Sequence, residues 1–289
     1  MLDLVSGSLE LKTPGTSTTP VSLAVLSGNS VLTLTNGHVA NVAAGTVTIS
    51  GNVLDLHLRT TGPTPLPSGT STANLTSGSV LNMTGGTTTV GNAGVKGSVA
   101  LLRDGNQLTL QNGSVATVAG GVAKVDNGNV LDLAGANTAA TVTSGSVLTV
   151  TGGTASVTGS VALLRDTSQL TLGATSGTVT TAHGLNVSAG AAVAPVTITG
   201  NVADLQGQSL LTLANGNLAN LTGSGKNLDL TGSVAVLAEG STMTSTNRSG
   251  SATVGHVLHL ETGAQATVTG SAVTLEGRTT PTTLTLNKG

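Results

Sequence analysis

The chain has 289 residues, of which 41 are glycine, and it contains no cysteine, phenylalanine, tyrosine or tryptophan. Only 8% of its residues are charged and the formal net charge is −2, so it lacks the basic surface and the aromatic stacking platforms that nucleic-acid binding needs. Disulfide bonds, thiolate metal sites and a cysteine nucleophile are excluded, and a core has to be built without aromatic rings.

Short alternations of apolar and polar residues recur along the chain. They include VLTL from Val31, VTI from Val47, VLDL from Val53 and VLDL again from Val130. A period of two predicts half-buried β-strands, and the Gly-Ser, Gly-Asn and Asn-Gly pairs that follow predict tight turns. No segment has a helical pattern, and no apolar run reaches the roughly 18–20 residues of a membrane span. Asn-Gly steps between strands are also typical of β-hairpins, which remain an alternative.

Longer segments repeat as well. Leu23–Leu56 aligns with Val99–Leu133 when a single one-residue gap is allowed. A third copy begins at Val161, and a more divergent fourth begins at Val234. We predict one continuous domain over residues 1–289, made of tandem repeats at about 23–98, 99–160, 161–233 and 234–289.

Strands of three to five residues that recur every six to ten positions are too short for a β-sandwich. They predict an all-β fold, a β-solenoid (parallel β-helix) of short strands in stacked coils with no significant helix. With two or three strands and about 20 residues per coil, the chain would form about 14 coils and a rod about 65–70 Å long.

Five of the seven prolines fall in two stretches, Lys12–Pro20 and Arg59–Thr72. Proline cannot donate a hydrogen bond in a strand ladder, so it is displaced from regular strands. We therefore predict loop insertions at 12–20 and 59–72.

An aspartate stands between two apolar residues at five places. They are Asp3, Asp55, Asp132, Asp204 and Asp229. General acid–base catalysis needs two carboxylates within reach of one substrate, whereas these occupy equivalent points of separate repeats. We expect them to be solvated, outward-facing strand positions, and we predict no catalytic residue and no enzyme activity.

Two further patterns have chemical potential. Arg-Asp recurs at Arg103 and Arg165, where a turn with local pairing is expected. His256 and His259 have the spacing of a metal pair, but strand alternation would place them on opposite faces, and the other histidines are scattered. We predict no metal site and no cofactor.

Threonine pairs spaced by two, such as Thr33 with Thr35 and Thr46 with Thr48, would form outward ladders. A flat threonine ladder can order water, which makes ice binding an alternative function. A strict array would keep Thr-x-Thr in every coil, whereas the corresponding positions also hold Asp, Asn or Ala. Threonine is in addition a common exposed strand residue.

Both ends of the chain carry strand patterns. Leu2-Asp3-Leu4 resembles the internal Leu228-Asp229-Leu230, and Thr283–Leu286 lies close to the last residue. A terminal coil without a cap offers unpaired N–H and C=O groups to a partner. We predict self-assembly of identical chains, head to tail, through Leu2, Leu4, Leu284 and Leu286.

The recurrent units GSVLTVTGGT, GNVLDL and GSVALL cover nearly the whole chain and resemble the β-solenoid passengers of bacterial surface proteins, such as filamentous haemagglutinins and autotransporter adhesins. The resemblance implies a secreted, extracellular or cell-surface protein with structural or adhesive work. We predict that its partners are copies of itself and a cell surface or matrix. The alternative within this class is a fragment of an adhesin with a binding site on the 59–72 loop.

Overall fold

The computed structural model describes residues 1–12, 20–57, 69–188, 195–247, 254–261, 263–277 and 280–287. Over these residues the chain forms 32 short strands and no helix, so the predicted all-β solenoid is confirmed. The strands pair in parallel throughout, and the one isolated antiparallel bridge in the described part joins Asn92 and Val95. The alternative of β-hairpins is therefore wrong.

The strands follow one another along the whole described chain. They are β1 (Leu2–Leu4), β2 (Ser8–Leu11), β3 (Ala24–Leu26), β4 (Val31–Thr35), β5 (Ala40–Val42), β6 (Thr46–Ile49), β7 (Leu54–Leu56), β8 (Thr72–Thr76), β9 (Leu81–Met83), β10 (Thr87–Val90), β11 (Ala100–Arg103), β12 (Gln107–Gln111), β13 (Ala116–Val118), β14 (Val122–Val125), β15 (Leu131–Ala134), β16 (Ala139–Val142), β17 (Gly145–Val150), β18 (Thr154–Val157), β19 (Ala162–Arg165), β20 (Gln169–Leu172), β21 (Ala182–Val187), β22 (Val196–Ile198), β23 (Ala203–Leu205), β24 (Leu210–Leu213), β25 (Ala219–Leu221), β26 (Gly225–Leu230), β27 (Ala235–Ala238), β28 (Thr242–Thr246), β29 (Leu258–Leu260), β30 (Ala264–Val268), β31 (Val273–Glu276) and β32 (Thr283–Asn287).

Every fourth strand belongs to the same sheet, so four sheets of eight parallel strands surround the interior. Sheet A runs from β1 through β5 and β9 to β29, sheet B from β2 to β30, sheet C from β3 to β31 and sheet D from β4 to β32. One coil of the solenoid contributes one strand to each sheet. The described chain therefore makes eight coils.

The predicted coil of about 20 residues is too short. Ala24 pairs with Leu54 and Leu54 with Ala100, so coils of 30 and 46 residues lie side by side. Eight coils spaced like neighbouring strands give a rod of about 38 Å, not 65–70 Å. The prediction assumed two or three strands per coil, whereas each coil has four strands. The turn glycines mark the four corners between these strands, so they recur several times within one coil. Each sequence repeat spans two coils, since Ala24 and its counterpart Ala100 are separated by one intervening strand.

Most of the two predicted loops, 12–20 and 59–72, lies outside the described residues. Residues 13–19 and 58–68 lie outside the described residues. The final residue of the second predicted loop, Thr72, is the first residue of β8 and pairs with Val31 and Gln107.

The core consists of aliphatic columns that run along the rod. The inner column of sheet C is leucine in all eight coils, namely Leu26, Leu56, Leu102, Leu133, Leu164, Leu205, Leu237 and Leu275. From Leu56 to Leu237 these side chains are fully buried. Identical side chains one strand spacing apart pack without gaps, which explains how the chain forms a core without aromatic rings.

Glycine recurs at the corner that leads from sheet D to sheet A, which we call the DA corner. A Cβ on Gly78 would lie 1.9 Å from the carbonyl oxygen of Gly37, and a Cβ on Gly113 would lie 1.8 Å from that of Gly78. A Cβ on Gly145 would likewise lie 2.1 Å from the carbonyl oxygen of Gly113. A side chain would therefore clash at these three positions as the coils are stacked, whereas Ala182 occupies the equivalent position in the next coil.

Polar side chains satisfy the backbone at the corner between sheets B and C. In each coil a serine or asparagine oxygen accepts the backbone N–H of the equivalent residue in the next coil, at 2.7 to 3.3 Å. The column is Ser22, Asn52, Ser98, Asn129, Ser160, Asn201, Ser233 and Ser271. Corner amides that a strand ladder would leave unpaired are thereby hydrogen-bonded.

Strict alternation fails where the chain enters sheets A and C. Val53 and Leu54 are consecutive and both fully buried, so the residues that flank them face outward together. Asn52 Nδ2 accordingly donates to Asp55 Oδ2 at 2.9 Å. At these corners residues i and i+3, rather than i and i+2, share a face.

Candidate functional site

The four residues predicted to form assembly ends lie at the two ends of the rod, in different sheets. Leu2 and Leu4 belong to the first strand of sheet A and are partly buried. Leu284 and Leu286 belong to the last strand of sheet D, and Leu286 is 52% exposed. In a head-to-tail arrangement these two pairs would not meet each other, because each would face a strand of its own sheet.

Exposed apolar side chains are concentrated in the first and last coils. Among the described residues, the large hydrophobic side chains with high exposure are Met1, Val5, Val25, Val31, Val179, Leu260, Leu275 and Leu286. All except Val179 belong to an end coil. Leu275 is 52% exposed although Leu237, its neighbour in the same leucine column, is fully buried.

The first coil opens into an apolar cavity of about 250 Å³. Its lining consists of Met1, Leu2, Leu23, Ala24, Leu26, Leu32 and Val39. The interior of the solenoid is therefore accessible at this end, and these side chains are available to an apolar partner.

The five aspartates do not form a carboxylate pair. Asp55, Asp132 and Asp204 lie on sheet C in alternate coils, whereas Asp3 and Asp229 lie on sheets A and B. Neighbouring coils place Leu101 and Leu163 between the sheet C aspartates. This separation gives no support to acid–base catalysis by a pair of these carboxylates.

The prediction that these aspartates are solvated is wrong for two of them. Asp55 is 5% exposed and Asp132 is 8% exposed. Asp55 accepts hydrogen bonds from Ser22 Oγ at 3.0 Å and Asn52 Nδ2 at 2.9 Å, and its Oδ1 lies 2.7 Å from His57 Nδ1. A buried carboxylate is stable only with such partners, so these residues have structural roles.

The Arg-Asp steps lie in turns, as expected, since Asp104 and Asp166 both have positive φ angles. The ionic partner of Arg165 is not the adjacent aspartate. Its Nη2 lies 2.5 Å from Asp132 Oδ1, one coil earlier. Stacking, rather than the local turn, therefore determines this pairing.

Four of the five histidines lie on one side of the rod. His38, His183 and His256 occupy the DA corner, and His259 faces outward from sheet A. The rings of His256 and His259 stack with centroids 5.2 Å apart, so the prediction of opposite faces is wrong. The two residues flank two consecutive inward-facing residues where the chain enters sheet A, so they lie on the same face.

In the described part of the chain, no group of three or more His, Asp or Glu side chains is placed to hold a metal ion. Burial lowers the pKa of His183 to about 4. Burial also lowers the pKa of His38. Both imidazoles are therefore neutral at neutral pH.

Threonine forms a column along the outer face of sheet D. The central outward position is threonine in seven coils and asparagine in one, in the order Thr33, Asn74, Thr109, Thr141, Thr171, Thr212, Thr244 and Thr285. We call this the threonine column. The positions on either side vary and include Gln107, Ala139 and Leu210.

No protein-family model, no curated protein and no solved structure matches the chain. In the part of the chain that the structure describes, no helix has the length and hydropathy needed to cross a membrane.

Proposed function

We propose that the protein is a non-enzymatic structural element, a solenoid that stacks head to tail on further copies of itself. The observation that supports this proposal is the match between its two end coils. Four parallel sheets each have one unpaired edge at each end of the described rod, and unpaired edges pair readily with another chain.

The match becomes visible when the first coil of a second copy continues the columns of the last coil. Each inward leucine of sheets A, C and D in the last coil then stacks on a leucine. The pairs are Leu258 on Leu2, Leu260 on Leu4, Leu275 on Leu26, Leu284 on Leu32 and Leu286 on Leu34. Such pairs would bury the apolar side chains that the end coils expose.

Outward positions are compatible with the same register. His259 would stand beside Asp3, an oppositely charged neighbour when the imidazole is protonated, and Thr285 beside Thr33. Contacts between two different ends propagate without closing, so the product is a filament. In this proposal the filament is extracellular or attached to a cell surface, as the resemblance to bacterial surface solenoids implies.

Sedimentation velocity over a range of concentrations tests this proposal. We expect Leu286→Lys, which places a charge in the leucine contact, to raise the concentration needed for association by about tenfold or more, since a buried leucine contributes about 1.5–3 kcal/mol. Leu286 is 52% exposed in the single chain, so the variant should fold. Leu4→Lys, at the other end and opposite Leu260 in this register, should act in the same way.

The matched control is Val179→Lys, which adds the same charge at a 41% exposed valine away from both end coils. It should associate like the unmodified chain. A chain that stays monomeric at every concentration, or equal effects of Val179→Lys and Leu286→Lys, would contradict the proposal.

The threonine column favours ice binding as a second candidate function. Hydroxyl and methyl groups repeat along it at the strand spacing of about 4.8 Å, a regular array that can order water. The irregular flanking positions make this the weaker candidate. Thr141→Arg should abolish any thermal hysteresis, whereas Thr48→Arg on sheet B should leave it unchanged.

The remaining alternative, an adhesin with a binding site on the 59–72 loop, falls mainly on residues outside the described part of the chain. Its distinguishing feature is binding that is independent of association. Deleting 59–68 should then remove adhesion to cells and leave sedimentation unchanged.

A further inference from the structure

A long polar groove follows the DA corner and the outer face of sheet A. Its volume is about 600 Å³, and its lining extends from His38 at the first corner to Asn186 in β21. We call it the corner groove. It belongs neither to the end coils nor to the threonine column.

The lining of the corner groove is entirely neutral at neutral pH. It contains serine, threonine, asparagine, glycine and two histidines, with no acidic residue, no lysine or arginine and no aliphatic side chain. Because burial lowers the pKa of both His38 and His183, neither imidazole adds a charge. A charged ligand would find no ionic partner along this surface.

Hydrogen bonds within the protein fix what the two histidines can offer. His38 Nδ1 accepts the backbone N–H of Ser79, and His183 Nδ1 accepts that of Asn217, each at 3.0 Å. The neutral ring carries its proton on the other nitrogen, so Nε2–H is a donor in both residues. Two oriented donors thus stand near the two ends of the groove, about 19 Å apart along the axis at four coil spacings.

The buried Oγ of Ser146, in the lining of the groove, lacks a hydrogen-bond partner within the protein. In the coils before it, Ser79 Oγ lies 3.0 Å from Thr117 Oγ1, and Ser114 Oγ lies 2.8 Å from Thr149 Oγ1. Ser146 is 1% exposed, yet its Oγ has no hydrogen-bond partner. Buried polar groups are nearly always hydrogen-bonded, so this hydroxyl points to a ligand.

The wall of the groove at the DA corner is formed by Gly78, Gly113 and Gly145, at which no Cβ can be accommodated. Along this wall a ligand would meet serine residues at equivalent positions of three successive coils, namely Ser79, Ser114 and Ser146. A chain of repeating units laid along the rod axis suits such a surface.

We propose that the corner groove binds a neutral glycan chain aligned with the solenoid axis. Sugar hydroxyls both donate and accept, as the serine, threonine and asparagine side chains of the groove require. Without aromatic rings for stacking, the affinity comes from hydrogen bonds and is modest. The site is independent of head-to-tail stacking.

The test is a titration of the ¹⁵N-labelled chain that carries Leu286→Lys, which weakens head-to-tail association, with neutral oligosaccharides of glucose, mannose, galactose and N-acetylglucosamine, followed by NMR. At least one should shift the amide signals of Gly78, Gly113 and Gly145. Oligogalacturonate, which is anionic, and a Gly-Ser peptide serve as probes of the other ligand classes. Binding of either in preference to every neutral sugar, or no shift with any neutral sugar, would overturn the proposal.

Two variants locate the binding. Ser146→Ala removes a hydroxyl that makes no bond within the protein, so the chain should fold and its dissociation constant should rise about fivefold, as for one lost hydrogen bond. Thr181→Arg places a long charged side chain at an exposed position of the lining and should abolish binding. Thr46→Arg, exposed on sheet B, is the matched control, and equal loss in it would also overturn the proposal.

Discussion

Single residues at the corners determine how closely the coils stack. Glycine at the DA corner leaves room for the carbonyl of the preceding coil, and serine or asparagine at the corner between sheets B and C accepts the amide of the following coil. The repeated glycine steps were visible in the sequence as turns. Their role in stacking was not, because it depends on a residue 30 or more positions away.

Gly113→Ala tests the steric requirement. Its Cβ would lie 1.8 Å from the Gly78 carbonyl oxygen, so we expect a loss of about 2–4 kcal/mol in the free energy of unfolding. Gly94→Ala is the control, since only the Asn92 side chain lies near, at 3.6 Å. Urea denaturation should show almost no change for Gly94→Ala. Equal midpoints for the two variants would refute the steric account.

His183 makes the free energy of unfolding depend on pH. Burial lowers its pKa from 6.5 to about 4, so the unfolded state binds a proton before the folded state does. The contribution of neutral His183 is complete above pH 6.5 and is lost as the pH falls toward 4, by about 3 kcal/mol in total. His183→Asn keeps an acceptor for the Asn217 amide and cannot titrate. Denaturation at several pH values should show a flatter profile for this variant, and an unchanged profile would contradict the assignment.

At the scale of elements, alternation predicted the strands well but not their grouping into coils. VLTL at Val31 and VLDL at Val53 are strands, as predicted, yet they belong to sheets D and C of successive coils. Local sequence does not show which turns complete a coil. The i, i+3 pairing of Asn52 with Asp55 was also missed, because two consecutive inward residues break the period of two.

The leucine column of sheet C allows one substitution to be compared at two depths. Leu133→Ala should cost about 2–5 kcal/mol of unfolding free energy, since Leu133 is fully buried between Leu102 and Leu164. Leu275→Ala, in the same column but 52% exposed, should cost well under half as much. Thermal denaturation monitored by circular dichroism measures both. Similar losses would mean that the last coil is buried in an assembly under those conditions.

At the scale of the whole molecule, the rod has two unlike ends with matching leucine columns and polar faces along its sides. The end residues Leu2, Leu4, Leu284 and Leu286 could be chosen from the sequence, but their partners could not. In the proposed stacking, continuing the register of the single chain would place Leu258 on Leu2 and Leu286 on Leu34. The corner groove was not predicted, since its histidines, serines and asparagines are scattered along the sequence and meet only when the coils stack.

Negative-stain electron microscopy of the purified chain over a range of concentrations tests the central claim most directly. Head-to-tail stacking predicts straight, unbranched filaments whose axial repeat is close to the length of one rod, about 38 Å. They should become longer as the concentration rises. Discrete rods of that length at every concentration would contradict the account.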